Sequence, residues 1–102
     1  MFIAWTTVAN EADARRLATG AVELGVAACS QVEGPLTSVY RWKGQLQQAR
    51  EFRITFKVAG QADALEAFVL KEHPYKVPEW IILKADRVSE KYLSWAKGVG
   101  RP

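Results

Sequence analysis

The stretch EFRITFKV, Glu51–Val58, decides the fold. Phe52, Ile54, Phe56 and Val58 alternate with Glu51, Arg53, Thr55 and Lys57, and a two-residue period puts one set on a buried face of a β-strand and the other on a wet face. Immediately upstream, Lys43-Gly44-Gln45 supplies a turn and Leu36 to Trp42 reads as a strand, so the two strands form a long hairpin. Gly34-Pro35 separates that strand from an earlier strand-like run, Val26 to Val32. A proline there marks a bulge or an edge position.

Outward from the hairpin the period changes to a helical one on both sides. Asn10 is a good N-cap, with Glu11 and Asp13 in the first turn, where the helix dipole favours negative charge. Ala14, Leu17, Ala18, Ala21 and Leu24 then recur at steps of three and four, and Gly25 stands where a glycine ends a helix. Phe2 to Val8 is the strand before it. On the other side, Gly60 to His73 reads as a second helix with Ala62, Leu65, Phe68 and Val69 on one face. Pro74 stops it, having no N–H and disfavouring helical geometry at the residue before it. Trp80 to Leu83 is a short apolar strand. Ser89 caps a last helix in which Val88, Tyr92, Trp95, Ala96 and Val99 share a stripe, frayed by Gly98, Gly100 and Pro102.

The order is β-α-β-β-α-β with an added C-terminal helix. That is a single α+β domain over residues 1–102, a ferredoxin-like split β-α-β sandwich with both main helices on one face of an antiparallel sheet. The other face and the projecting hairpin, which carries Tyr40 and Trp42, need a cover. An exposed edge with large aromatics points to assembly.

Composition narrows the function. Hydrophobic residues at 49% and charged ones at 25% are those of a folded globular chain. The net charge of +3 comes from basic residues scattered singly or in pairs such as Arg15-Arg16, not from a stripe, so nucleic acid is not an expected partner. No run reaches membrane-spanning length, the N-terminus lacks a signal-peptide pattern, and a lone cysteine, Cys29, forms no internal disulfide. A cytoplasmic protein with no membrane association is the expectation. Dispersed glycines leave no phosphate-cradling loop, and zinc-binding spacings are absent.

KEHPYKVPEW, Lys71–Trp80, concentrates the remaining chemistry. His73 titrates near neutrality. At a helix end it bonds free carbonyls and complements the dipole, or it serves as a metal or ligand side chain with partners such as Glu72, Tyr75 and Glu79. Cys29 lies in a small-residue strand, the setting of an inert buried thiol.

Four stretches together resemble one family: AAC at Ala27–Cys29, TSVYRWKGQLQ at Thr37–Gln47, EHPYKVPEW at Glu72–Trp80 and YLSW at Tyr92–Trp95 are similar to the CutA family, the divalent-cation tolerance proteins. The resemblance implies a homotrimer similar in plan to the PII signalling proteins, strands pairing across subunits, no enzymatic reaction, no required cofactor, and a link to copper or other divalent ions. It implies intersubunit clefts near Tyr40, Trp42, Tyr75, Pro78 and Glu79. Family members credited with copper tend to carry a cysteine at the end of the first strand and two histidines before Pro-Tyr; here those positions are Thr6, Glu72 and His73. His73 and Glu72 are thus the candidate ligands for copper or zinc. The alternative function is a PII-like small-molecule sensor whose cleft uses Tyr40, Trp42, Lys57, His73, Tyr75 and Glu79. A small hydrolase of the acylphosphatase kind lacks its basic anion-binding loop here.

Overall fold

The computed structural model describes residues 1–99, with Val99 described by its backbone alone; Gly100 and Pro102, expected to fray the last helix, lie outside the described residues. Strand β1 spans Phe2–Val8, helix α1 Glu11–Glu23, β2 Cys29–Trp42, β3 Gln45–Val58, α2 Asp63–Glu72, β4 Ile81–Lys84 and α3 Glu90–Val99. The sheet order is β2-β3-β1-β4, antiparallel at every pairing, as the split β-α-β arrangement requires.

Local chemistry sets most of these boundaries. The Asn10 side chain accepts the Asp13 N–H at 2.8 Å, which satisfies a free donor of the first turn of α1. At the other end, the N–H groups of Val26 and Ala27 donate back to the Ala21 carbonyl at 3.0 and 3.1 Å. That claims donors a strand would need, so β2 begins at Cys29 and not at Val26. Helix α2 is shorter than its periodicity suggests: it starts at Asp63 behind Ala62, which gives no side-chain cap. Lys43 and Gly44, at φ 51° and 76°, form the tight two-residue turn whose twist suits a hairpin.

The alternation in β3 divides the molecule. Ile54, Phe56 and Val58 are buried against α1 and α2 with Ala4 and Val8 of β1, Leu17 of α1, and Leu65 and Val69 of α2. Fully burying side chains such as Phe56 and Leu17 contributes roughly 1.5–3 kcal/mol each. The opposite face carries no main helix. Between the pairs Glu33↔Arg53 and Leu36↔Glu51, two residues of β2, Gly34 and Pro35, oppose the single residue Phe52, a β-bulge. Gly34 has φ +149°, and a Cβ there would lie 2.7 Å from the Phe52 ring, so only glycine fits.

Beyond the bulge the hairpin outruns its neighbour β1 and extends the molecule to 46 × 26 × 22 Å. Its apolar side chains are open: Val39, Tyr40, Trp42 and Leu46 are 57%, 46%, 56% and 68% exposed. In α3 the expected apolar stripe is only partly buried. Ala96 is covered, whereas Trp95 is 48% exposed and packs on Tyr92 at 5.5 Å between ring centroids.

Candidate functional site

Pairing across the hairpin sets Tyr40 opposite Gln47 and Trp42 opposite Gln45, and opposed residues share a face. That face is the one with Glu51 and Thr7, away from the helices. The connector from α2 to β4 folds over its edge, and the two enclose a cleft of about 690 Å³. The hairpin contributes Tyr40, Trp42, Gln47, Ala49 and Glu51 to it. The connector contributes Tyr75, Lys76, Val77 and Glu79, and Thr7 of β1 closes one end.

A buried hydrogen-bond chain holds the connector in place. The Thr6 hydroxyl, fully buried, donates to the Glu79 carbonyl at 2.6 Å. His73 Nδ1 accepts the Tyr75 N–H at 3.1 Å, so the ring proton sits on Nε2. That Nε2–H faces the Thr7 carbonyl at 2.9 Å and the Thr6 hydroxyl oxygen at 3.0 Å. Tyr75 finishes the chain by donating its phenolic O–H to the Glu51 carboxylate at 2.8 Å, which pins connector to hairpin.

Burial sets the protonation states. Desolvation lowers the His73 pKa below its ordinary 6.5 and outweighs the Thr7 carbonyl and the charges of Asp13 and Glu51, which favour the cation; Arg16 adds to the lowering. The imidazole is therefore neutral at pH 7. Desolvation, reinforced by the bond to Glu51, raises the Tyr75 phenol well above its usual 10.0.

The structure brings Tyr40, Trp42, Tyr75 and Glu79 together in one cleft of the chain. It separates the others. His73 stands behind the cleft wall, 8% exposed, with both ring nitrogens engaged toward β1 and the connector and not toward the helix carbonyls. Lys57 is not among the residues that line this cleft. It lies on the same face of β3 but six residues beyond Glu51, roughly 20 Å at about 3.3 Å per residue. There its ammonium sits 5.7 Å over the Tyr92 ring.

The candidate metal pair His73 and Glu72 turns to separate partners within the chain. The Glu72 carboxylate faces Arg16 of α1 at 3.3 Å, while the His73 lone pair is taken by a backbone N–H. Cys29 is half-buried at the far end of the sheet, opposite Lys57. Among the described residues no three His, Cys, Asp or Glu side chains gather as a metal would need. The described residues of this chain alone do not assemble a ligand set for copper or zinc.

Sequence reading missed Thr6 as the residue that ties the connector down, and Thr7, Gln47, Ala49, Glu51, Lys76 and Val77 as cleft residues. Glu51 was within reach. Once Tyr40 is paired with Gln47, the alternation places Glu51 on the same face.

Strand order and the projecting hairpin define a ferredoxin-like α+β protein with a cleft at the side of its sheet. No helix among the described residues is long and apolar enough to cross a membrane. The chain belongs to the CutA1 divalent ion tolerance protein family, whose model matches residues 2–99.

It is 37% identical over 93 residues to the Protein CutA homolog of Xenopus laevis, covering 90% of this chain and 62% of that protein, so it spans only part of that relative's length. It is 36% identical over 92 residues to the divalent-cation tolerance protein CutA of Thermus thermophilus, covering 89% of each. The solved structure of CutA from Synechococcus elongatus superposes with a TM-score of 0.91 at 36% identity, covering 98% of this chain and 89% of that one.

Proposed function

We propose that this protein acts in the tolerance of divalent metal ions, copper among them, as a non-enzymatic homotrimer whose working surface is the cleft between hairpin and connector. The observation that carries the reading is the hairpin. Strand β2 is a 14-residue edge strand, and beyond β1 its aromatic side chains are left uncovered. A long unpaired edge with exposed Tyr40 and Trp42 calls for strand pairing between copies. Family membership supplies the link to divalent ions.

Because the described residues of one copy gather no ligand set, any metal is held by groups from more than one copy or is met elsewhere in the tolerance response. Sedimentation velocity tests the assembly: a trimer is expected, and a monomer at micromolar concentration overturns it. Titration calorimetry of the assembled protein with copper(II) and zinc(II) tests direct binding, and no heat with either ion removes it. The metabolite-sensor alternative rests on the cleft's volume. A rise in melting temperature with a metabolite and none with metals would favour it.

A further inference from the structure

We propose that the cleft binds a small organic cation, an alkylammonium or guanidinium group. The inference rests on the cleft being the working surface, as proposed above. Three aromatic rings, Tyr40, Trp42 and Tyr75, line it together with two carboxylates, Glu51 and Glu79. Tyr40 and Trp42 are two residues apart on one strand face, so their backbone attachment points are roughly 7 Å apart along β2 and both rings line the same cleft. A ring face attracts a cation that comes within about 6 Å of its centroid.

The lining favours that class over the others. Two carboxylates against the single ammonium of Lys76 give it net negative charge, which disfavours an anion. A bare divalent ion needs several oxygen, nitrogen or thiolate ligands at short range, and no such group gathers among the described residues. An organic cation makes no such demand: it spreads its charge over ring faces and needs one carboxylate for direction. Glu51 is already oriented by the Tyr75 O–H at 2.8 Å and keeps lone pairs to spare, while Glu79 is exposed at the rim. At about 690 Å³ the cleft has the size of a small-molecule site.

The test is titration calorimetry of the full chain with tetramethylammonium chloride and with agmatine, against sodium chloride and sodium acetate at matched ionic strength. Saturable binding of both cations and not of the controls is expected. Trp42→Ala should weaken it roughly 10-fold, with Trp42→Phe recovering part of the loss, and Glu79→Gln should weaken it several-fold. Trp42 is 56% exposed in the subunit, so these variants should fold; their circular dichroism should match the parent's. No saturable heat with either cation, equal response to acetate, or unchanged affinity in Trp42→Ala would overturn the proposal. A trimer that takes up no organic cation sinks this inference alone, whereas a monomer that binds one sinks the assembly reading alone.

Discussion

His73→Ala separates a wall residue from a metal ligand. Truncation removes the acceptor of the Tyr75 N–H and the donor to the Thr7 carbonyl, and it empties the space of a ring that is 8% exposed. A buried group left unpaired costs about 1–3 kcal/mol. With two such groups, some water entry and a cavity, the variant should lose roughly 2–4 kcal/mol. The assay is urea unfolding at fixed protomer concentration in the presence of a strong chelator, since ligands and assembly both move apparent stability. The full loss is expected without any metal. A variant within about 0.5 kcal/mol of the parent in chelator, with a deficit appearing only when copper or zinc is added, would refute the reasoning.

The same ring predicts a pH dependence: above the ordinary histidine value of 6.5 both forms hold it neutral and its full contribution is present, whereas below 6.5 the unfolded chain takes up a proton that the native site refuses. Stability should fall as pH drops through the window from 6.5 to the lowered native value, and His73→Ala should flatten that slope in parallel unfolding curves. Gly34→Ala forces a side chain into left-handed backbone and onto Phe52, at a cost of roughly 2–5 kcal/mol; a midpoint equal to the parent's would show that the bulge relaxes freely. Tyr75→Phe removes the O–H donated to Glu51 and should cost about 1 kcal/mol at this half-buried site, with faster amide exchange over Tyr75–Glu79; unaltered exchange there would mean that the bond does not hold the connector. Thr6→Val, nearly isosteric, leaves the Glu79 carbonyl without its 2.6 Å donor and should cost roughly 1–3 kcal/mol, whereas Thr6→Ser keeps the donor and should cost less; equal losses in denaturant unfolding would discount the hydroxyl.

The fold was legible because each element declares its own period. The alternation in Glu51–Val58, the cap at Asn10 and the stop at Pro74 are local signals, and local signals fixed the element order. Boundaries slipped where a distant or competing bond decided them, as when the Ala21 carbonyl took the N–H groups of Val26 and Ala27. The cleft was legible in its aromatics, which stand out on a hairpin, and much less so in its polar wall. What His73 does depends on Thr6 and Thr7, more than sixty residues earlier in the chain, and only the sheet brings those residues beneath it. Lys57 shows the limit of phase as a guide. It shares a face with Glu51, but shared phase along a strand says nothing of distance along it.

The bulge at Gly34-Pro35 works as a phase shifter. Cys29, Gln31 and Glu33 pair with Lys57, Thr55 and Arg53 on the face away from α1 and α2, and after the extra residue the even-numbered Leu36, Ser38, Tyr40 and Trp42 occupy that face instead. Were both residues instead to take regular places in the ladder, the outer half of β2 would slip by one residue against its partner and turn its side chains over. Val39 and Arg41 would then face the connector while Tyr40 and Trp42 turned to the opposite side. The existence of the cleft thus hangs on the bulge: by absorbing one residue outside the ladder, it chooses which half of the hairpin's side chains the rest of the molecule meets.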